Sequence, residues 1–562
     1  MKLFFKYTSV ILICLLAIVF YPGCKKHDIK QTTTEDVNIV DYMRRYPDKF
    51  SEFVKILDRT NVSPFLNAYG AYTVFAPTND AIRLYLQQVG KTSTDDIDTA
   101  SLLAITRLHI IQDTISTGSF TDGKLATPTM YGQYLVTNVN EAGVTIVNRQ
   151  AAILQSNILT GNGYIHAIDH VLQPAKLTVA KLIELNPKYS IFTQALRATG
   201  FYDTLNINNN PDTTRRWLTL LAESDSVLRV AGFNSYPALV ARYNNTGNPR
   251  NPNDSLFLYV AYHILPGLKY VADIVSQSSH STLAPQSVVG TTLVNQTVLL
   301  NQTTFNGVFE PGVPMDRPNS DNSATNGVLH SILGDIHLIV RIPVRVDFDI
   351  AAQPEILRLP AIYRKPGQSK SFAYGQLADV TWQNQNLSAA NYYCDALTGS
   401  NFYWWNDGFS TNLRLGNAAA NNWIEFTTPL LVRGKYKVWI MYRATSGGNA
   451  NYIQASIDGV PTSRLMNFQA GFSSSTASDL TLESEGFKRY SYENPNGNNR
   501  AQTIGVVDIT VTDRHKFRLT CVRDGGSGNT NSVTMDFIQF VPFTGNPQDQ
   551  IGPLYSKDGS IH

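Results

Sequence analysis

The sequence predicts a multidomain chain in which two α+β domains precede an all-β sandwich, and three observations predict it. A chain of 562 residues exceeds what one hydrophobic core organises. A set of landmarks in its first third recurs once, at a spacing of a whole domain. Beyond residue 379 helical periodicity gives way to alternating strands, and five of the six tryptophans fall there.

The first 23 residues are set aside as a signal peptide. Lys2 and Lys6 precede an apolar run, Tyr7 to Phe20, too short to span a bilayer comfortably. The run ends in Tyr21-Pro22-Gly23-Cys24, which resembles the lipobox of bacterial lipoproteins. The resemblance implies that Cys24 becomes the acylated first residue and ties the chain to a membrane, with plain secretion or an uncleaved anchor as the alternatives. Residues 24 to 35, with Thr32-Thr33-Thr34, have no periodicity and predict a tether.

The whole chain carries 46 basic and 44 acidic residues, and the leader removes two lysines and no acid. The mature chain is then balanced at 44 of each, which argues against nucleic acid as a partner. Without Cys14 in the leader and Cys24 at the anchor, Cys394 and Cys521 remain, to pair in an oxidising compartment or to stand as buried free thiols.

The first domain spans residues 36 to 175. Phe50, Phe53, Val54 and Leu57 fall at i, i+3, i+4 and i+7, a helix with one buried stripe. Thr73-Val74-Phe75-Ala76 is an apolar strand stopped by Pro77, and Thr78 is placed to cap a helix starting at Asn79-Asp80. Leu108-His109-Ile110-Ile111 lies in a further apolar segment, and Asn162-Gly163 opens a strand that runs through His166 and Asp169 to Pro174. The blocks Thr73 to Asp80 and Asn162 to Pro174 resemble the fasciclin family closely. That resemblance marks Thr73, Phe75, Pro77, Asn79, Asp80, His109 and His166 as motif residues of a packed fold.

The second domain, residues 177 to 342, repeats these landmarks. Ser51, Phe53, Leu57, Thr60 and Asn67 return as Ser190, Phe192, Leu196, Thr199 and Asn206, and His109 and His166 return as His263 and His330. The offset grows from 139 residues at Ser51 and Ser190 to 164 at Asn162 and Asn326, so this copy carries insertions. It resembles a divergent fasciclin domain that has lost the Pro-Thr pair.

Residues 343 to 378 are interrupted by prolines and predict a linker, and 379 to 545 the sandwich, with 546 to 562 left as a tail. In the strand Lys435 to Arg443, Tyr436, Val438, Ile440 and Tyr442 share one face and Lys437, Trp439, Met441 and Arg443 the other. Asn422 to Thr428, Gly434 to Met441 and Met535 to Phe540 resemble the galactose-binding-like jelly roll of family-6 carbohydrate-binding modules. The chain departs from that family in having no Glu-Ala-Glu-like opening, which there helps hold a structural calcium, and in placing Thr534 where the sugar-binding asparagine stands.

No nucleophile elbow, phosphate loop or Cys-x-x-Cys pair is present, and no cofactor or metal site is expected. His166 and His170 are four apart, but a zinc pair at that spacing needs a helix and their segment predicts a strand. Tryptophans offer flat faces to the C–H faces of sugars, and amides pair with hydroxyls. Asn401, Tyr403, Trp404, Trp405, Asn406 and Asn531 are therefore the candidate ligand residues. Trp423, embedded in a strand, is expected to fill the core.

These features point to a non-catalytic adhesion or glycan-capture lipoprotein of a bacterial outer membrane or cell surface. Its expected partners are a polysaccharide or glycan, the membrane through the anchor, and other envelope proteins. The alternatives are a structural partner of envelope proteins and an accessory carbohydrate-active enzyme.

Overall fold

The computed structural model describes residues 37–68, 70–140, 142–305, 307–338, 341–387, 390–396, 399, 401–413, 420–444, 452–523 and 532–562. The leader, Cys24, the tether and Asn531 lie outside the described residues. The chain forms two compact units, one ending at Pro174 and one beginning at Ala175. Among the described residues no helix is long and apolar enough to cross a membrane.

In the first unit the helix Pro47–Arg59 buries Phe50, Phe53, Val54, Ile56 and Leu57, the stripe its periodicity predicts. The strand Tyr72–Pro77 is buried along its whole length and lies at the centre of the domain. It pairs in parallel with Gly163–Ile168 and antiparallel with Ile110–Ile111 inside a seven-stranded sheet. Thr78 caps the helix Asn79–Gln88 by accepting a hydrogen bond from Ala81 N at 3.3 Å. The Asn79 side chain ties the two helices together, accepting from Glu52 N at 2.9 Å and donating to Pro47 O at 2.9 Å.

Gly163 sits opposite Tyr72 in the parallel pair. Its φ is +148°, and a Cβ there would lie 1.8 Å from the Tyr72 carbonyl oxygen. Only glycine lets the two strands approach in this way.

The second unit opens with the same centre. Leu218–Glu223 pairs in parallel with Gly327–Ile332 and antiparallel with Ile264–Pro266. Gly327 faces Leu218, and a Cβ there would again lie 1.8 Å from a carbonyl oxygen, that of Leu218. Asn326 Oδ1 accepts from Val179 N at 2.9 Å, as Asn162 Oδ1 accepts from Ile39 N at 2.9 Å. The duplication therefore extends to individual hydrogen bonds. Asp225 takes the place of Asn79 and accepts from Ile191 N at 2.9 Å.

The rest of the second unit is an all-β sandwich of an eight-stranded and a five-stranded sheet enclosing one apolar core. Tyr436, Val438, Ile440 and Tyr442 lie in that core, while Trp439 and Met441 on the opposite face lie in a second apolar cluster with Tyr490, Phe537, Val541 and Tyr555. This strand is thus buried on both sides.

Two predicted boundaries are corrected. Residues 343 to 378 are not a linker: Val346–Asp349 pairs antiparallel with Phe537–Phe540, and Phe348, Ile350, Ile356, Phe372 and Leu377 are part of the sandwich core. Residues 546 to 562 are not a free tail: Tyr555 is fully buried, and Trp439 Nε1 donates to Gln550 O at 2.9 Å. In both segments apolar side chains cover a face that would otherwise meet water. The sandwich also touches the domain before it, where Ser279 Oγ donates to Asp513 Oδ2 at 2.6 Å.

Candidate functional site

Histidines occupy matching places in the first two domains. His109 and His263 each follow a helix and turn Nδ1 to the carbonyl four residues back, Ile105 O and Tyr259 O, at 2.8 Å in both. His166 and His330 each turn Nε2 to a carbonyl, Ile115 O at 2.9 Å and Lys269 O at 2.8 Å, and accept a backbone N–H on Nδ1, from Asn157 and Asp321. His166 is buried on a strand with both nitrogens engaged, whereas His170 is exposed beside Asp169. The two do not converge on a metal.

The histidine pairs diverge at one position. His109 Nε2 accepts from Leu172 N at 3.0 Å, so the ring is neutral, and burial pushes it down to about 4. His263 Nε2 instead meets Glu223 Oε1 at 2.8 Å. Glu223 stands where Pro77 stands in the first domain, is fully buried, and accepts also from Ile336 N at 2.7 Å and Tyr259 Oη at 2.9 Å. Burial raises its carboxyl, and the bond to His263 opposes that rise. A strand-ending proline has become a buried acid–base pair.

In the sandwich, the segment Asn401 to Asp407 brings most of the predicted ligand residues together, yet turns them inward. Tyr403, Asn406 and Asp407 are buried, and Asn406 Nδ2 donates to Asp395 O at 2.8 Å. Asn401 is half-buried. Trp404, Trp405 and Asn406 form a single helical turn, not a strand, with Trp405 at φ +60°. Trp404 packs edge-on against Phe537 and Tyr555, both at 5.1 Å, and its Nε1 donates to Gly559 O at 3.1 Å. Trp405 has the Arg364 guanidinium 3.7 Å from its ring, and a Cβ on Gly559 would come within 2.3 Å of the same ring. Both indoles are half-buried, with part of each ring taken up by these contacts.

Behind these rings lie three buried carboxylates. Arg364 Nη2 reaches Asp349 at 3.2 Å and its Nε lies 3.9 Å from Asp407, which also accepts from Tyr392 Oη at 3.1 Å. Asp536 accepts from Trp404 N at 2.8 Å. Burial, with Asp349 alongside, pushes Asp407 up to about 8 against the pull of Arg364. Arg364, Trp405 and Asn406 all hold left-handed φ, so backbone strain gathers where the acids are buried. The sequence pointed to Trp404 and Trp405, but not to Arg364 or Asp349, which come from the segment read as a linker.

A second half-exposed aromatic surface lies apart from this segment. On the five-stranded sheet, Ile424, Phe426, Phe517, Leu519, Ile453 and Ala455 point into the core. The alternate residues Trp423, Glu425, Arg518, Thr520, Tyr452 and Gln454 share the outer face. Trp423 is half-exposed, correcting the expectation that it fills the core: its strand has one dry face, and Trp423 is on the other. The Arg518 guanidinium lies 4.0 Å from its ring and pairs with Glu425 at 2.8 Å. Arg523 lies 3.6 Å from the half-exposed Tyr452 ring. Trp423 and Gln454 flank Thr520 from the two sides, and Tyr452 is one same-face step beyond Gln454. Strand spacing and rise put Trp423 and Tyr452 roughly 12 Å apart. The face offers two rings, two guanidiniums and several hydroxyl and amide groups.

Cys394 and Cys521 are both buried, on strands of different sheets, and form no disulfide, so the pairing left open by the sequence is not made.

The fold and these sites define a chain of two α+β domains with matching central pairings followed by a two-sheet all-β sandwich, and the fasciclin-domain family model matches residues 48–174, in the first of them. Among relatives, the transforming growth factor-beta-induced protein ig-h3 of Sus scrofa is 25% identical over 311 residues, covering 55% of this chain and 41% of that protein. The chain thus spans less than half the length of that relative. A solved fasciclin domain pair of the insect cell adhesion molecule fasciclin I aligns with 53% of this chain and 97% of its own at 18% identity and a TM-score of 0.24. A family 35 carbohydrate-binding module from Clostridium thermocellum aligns with 35% of this chain and 98% of its own at 11% identity and a TM-score of 0.16.

Proposed function

We propose that this chain is a non-catalytic binding protein of a bacterial envelope, anchored through a lipid on Cys24, that captures a polysaccharide on the outer face of its five-stranded sheet. The observation that carries the reading is the row of half-exposed Trp423, Tyr452 and Arg518 with exposed Arg523 on an otherwise polar sheet face. Sugar rings stack their C–H faces on aromatic side chains while guanidiniums and amides donate to hydroxyls, which suits this composition. The two fasciclin domains extend the module from the membrane and offer surfaces for adhesion to neighbouring proteins.

The reading is tested by presenting the purified chain to a broad glycan array. Binding is expected, with Trp423→Ala weakening it about tenfold, the effect of losing about 1.4 kcal/mol of stacking. An array without hits, or binding that Trp423→Ala and Tyr452→Ala leave unchanged, overturns it. The anchor is tested separately by palmitate labelling in cells, which Cys24→Ser is expected to abolish.

A further inference from the structure

Lys488 lies on the short strand Phe487–Lys488 of the eight-stranded sheet and is fully buried. A lysine in such a place needs partners for its charge, yet both of its hydrogen-bond acceptors are neutral carbonyl oxygens. One is Gln539 Oε1 and the other Ile551 O at 2.6 Å. Trp439 lies beneath it, with Nζ 5.3 Å from the ring centroid. Burial pushes the ammonium down to about 7, with Asp347 opposing and Arg345 and Lys437 reinforcing the fall. A large share of Lys488 is therefore free amine at neutral pH, and a free amine is a nucleophile.

Gln539, its contact, is fully buried on the strand Ser532–Pro542. The other end of its carboxamide is held by a carboxylate and a phenol: Nε2 bonds Asp347 Oδ1 at 2.8 Å and Tyr555 Oη at 2.5 Å. Amine, carboxamide and carboxylate thus lie in sequence on three separate strands, the first two fully buried and Asp347 paired on its other oxygen with Arg345 at 3.2 Å.

We propose that Lys488 and Gln539 condense to form an intramolecular isopeptide bond. The Nζ lone pair attacks Gln539 Cδ, forming Nζ–Cδ, and the Cδ–Nε2 bond breaks. The proton lost from Nζ passes to the departing nitrogen, with Asp347 as its relay, so that ammonia leaves. Nothing is oxidised or reduced, and Asp347 returns to its starting state. Close confinement of the reacting groups supplies the rate. The bond would tie the edge strand Phe487–Lys488 to Ser532–Pro542 across the sheet, stitching the sandwich against extraction by force. The proposal is independent of whether the sandwich binds a glycan.

Intact-mass measurement and tryptic mapping of the full chain test it. The chain is expected to be lighter than its mature sequence by the mass of one ammonia, with trypsin failing after Lys488 and one branched peptide joining the Lys488 and Gln539 segments. Lys488→Met and Gln539→Leu are expected to restore the full mass, and Asp347→Asn to leave the chain largely unlinked. Recovery of both tryptic segments as linear peptides of unmodified mass overturns the proposal, as does an ammonia loss mapped to another residue. The map of the unsubstituted chain decides the matter even if a variant fails to fold.

Discussion

Replacing Gly163 with alanine forces a methyl group into the centre of the first domain. The new Cβ would lie 1.8 Å from Tyr72 O, where ordinary contact begins at 3.4 Å, so the parallel strands must part by more than an ångström. The obstacle is backbone, which no rotamer change relieves. Alanine must also adopt φ +148°, a region that costs about 1–3 kcal/mol. Overpacking adds about 1–3 kcal/mol, for a total of about 2–6 kcal/mol. Against a typical domain stability of about 5–15 kcal/mol, this removes a large share. Fluorescence does not report on this domain, because all six tryptophans lie at or beyond residue 217. Hydrogen exchange read by mass spectrometry on the full chain does: amides of residues 37–174 are expected to lose protection while those of the sandwich keep theirs. Gly327→Ala meets the same 1.8 Å approach without a left-handed φ, so its smaller loss, about 1–3 kcal/mol, is expected in the second domain. Unchanged protection in Gly163→Ala, or loss in the wrong domain, would refute the reasoning.

Acid should weaken the first domain through His109. Its folded value is about 4 against about 6.5 unfolded, so the neutral ring's contribution is complete above pH 6.5 and is lost as pH falls from about 6.5 to about 4, a change of about 3 kcal/mol. The urea midpoint of the first domain across this range measures it, and His109→Gln should flatten the slope. In the second domain Glu223→Ala strands His263 Nε2 and Ile336 N and leaves Tyr259 Oη with Asp335 alone, and a loss of about 3–5 kcal/mol is expected by urea denaturation. Cys394 and Cys521 should react with a thiol reagent only after denaturation, since both are buried and burial pushes Cys394 up to about 11. Fast reaction of either thiol in the native chain would contradict their placement.

What could be read from the sequence follows from the range of each interaction. Thr73 to Asp80 and Asn162 to Pro174 were legible because strand, stop, cap and glycine are local demands of the backbone, and each appears in the fold where its residues stand. The duplication was legible for the same reason. Trp404 and Trp405 were legible as a feature but their packing was not, because Phe537, Tyr555 and Gly559, which meet them, stand far along the chain. The segment 343–378 looked like a linker because prolines break its pattern, while its strand Val346–Asp349 is too short and polar to signal itself. Trp423 was misplaced because period-two alternation says that a strand has two faces, but not which is dry. Glu223 carried a signal that went unused: a carboxylate closing a wholly apolar strand calls for a buried partner.

Parallel pairing at the heart of each fasciclin domain bears on the order in which the chain takes shape on the ribosome. Tyr72–Pro77 emerges early and can meet Ile110–Ile111 first, but its parallel partner Gly163–Ile168 follows later, and Val346–Asp349 must wait for Phe537–Phe540. At about 5–20 residues per second the first delay is roughly 5–20 s and the second roughly 10–40 s. For that interval the strands lack a full set of partners, and a nascent chain in this state is a client for chaperones.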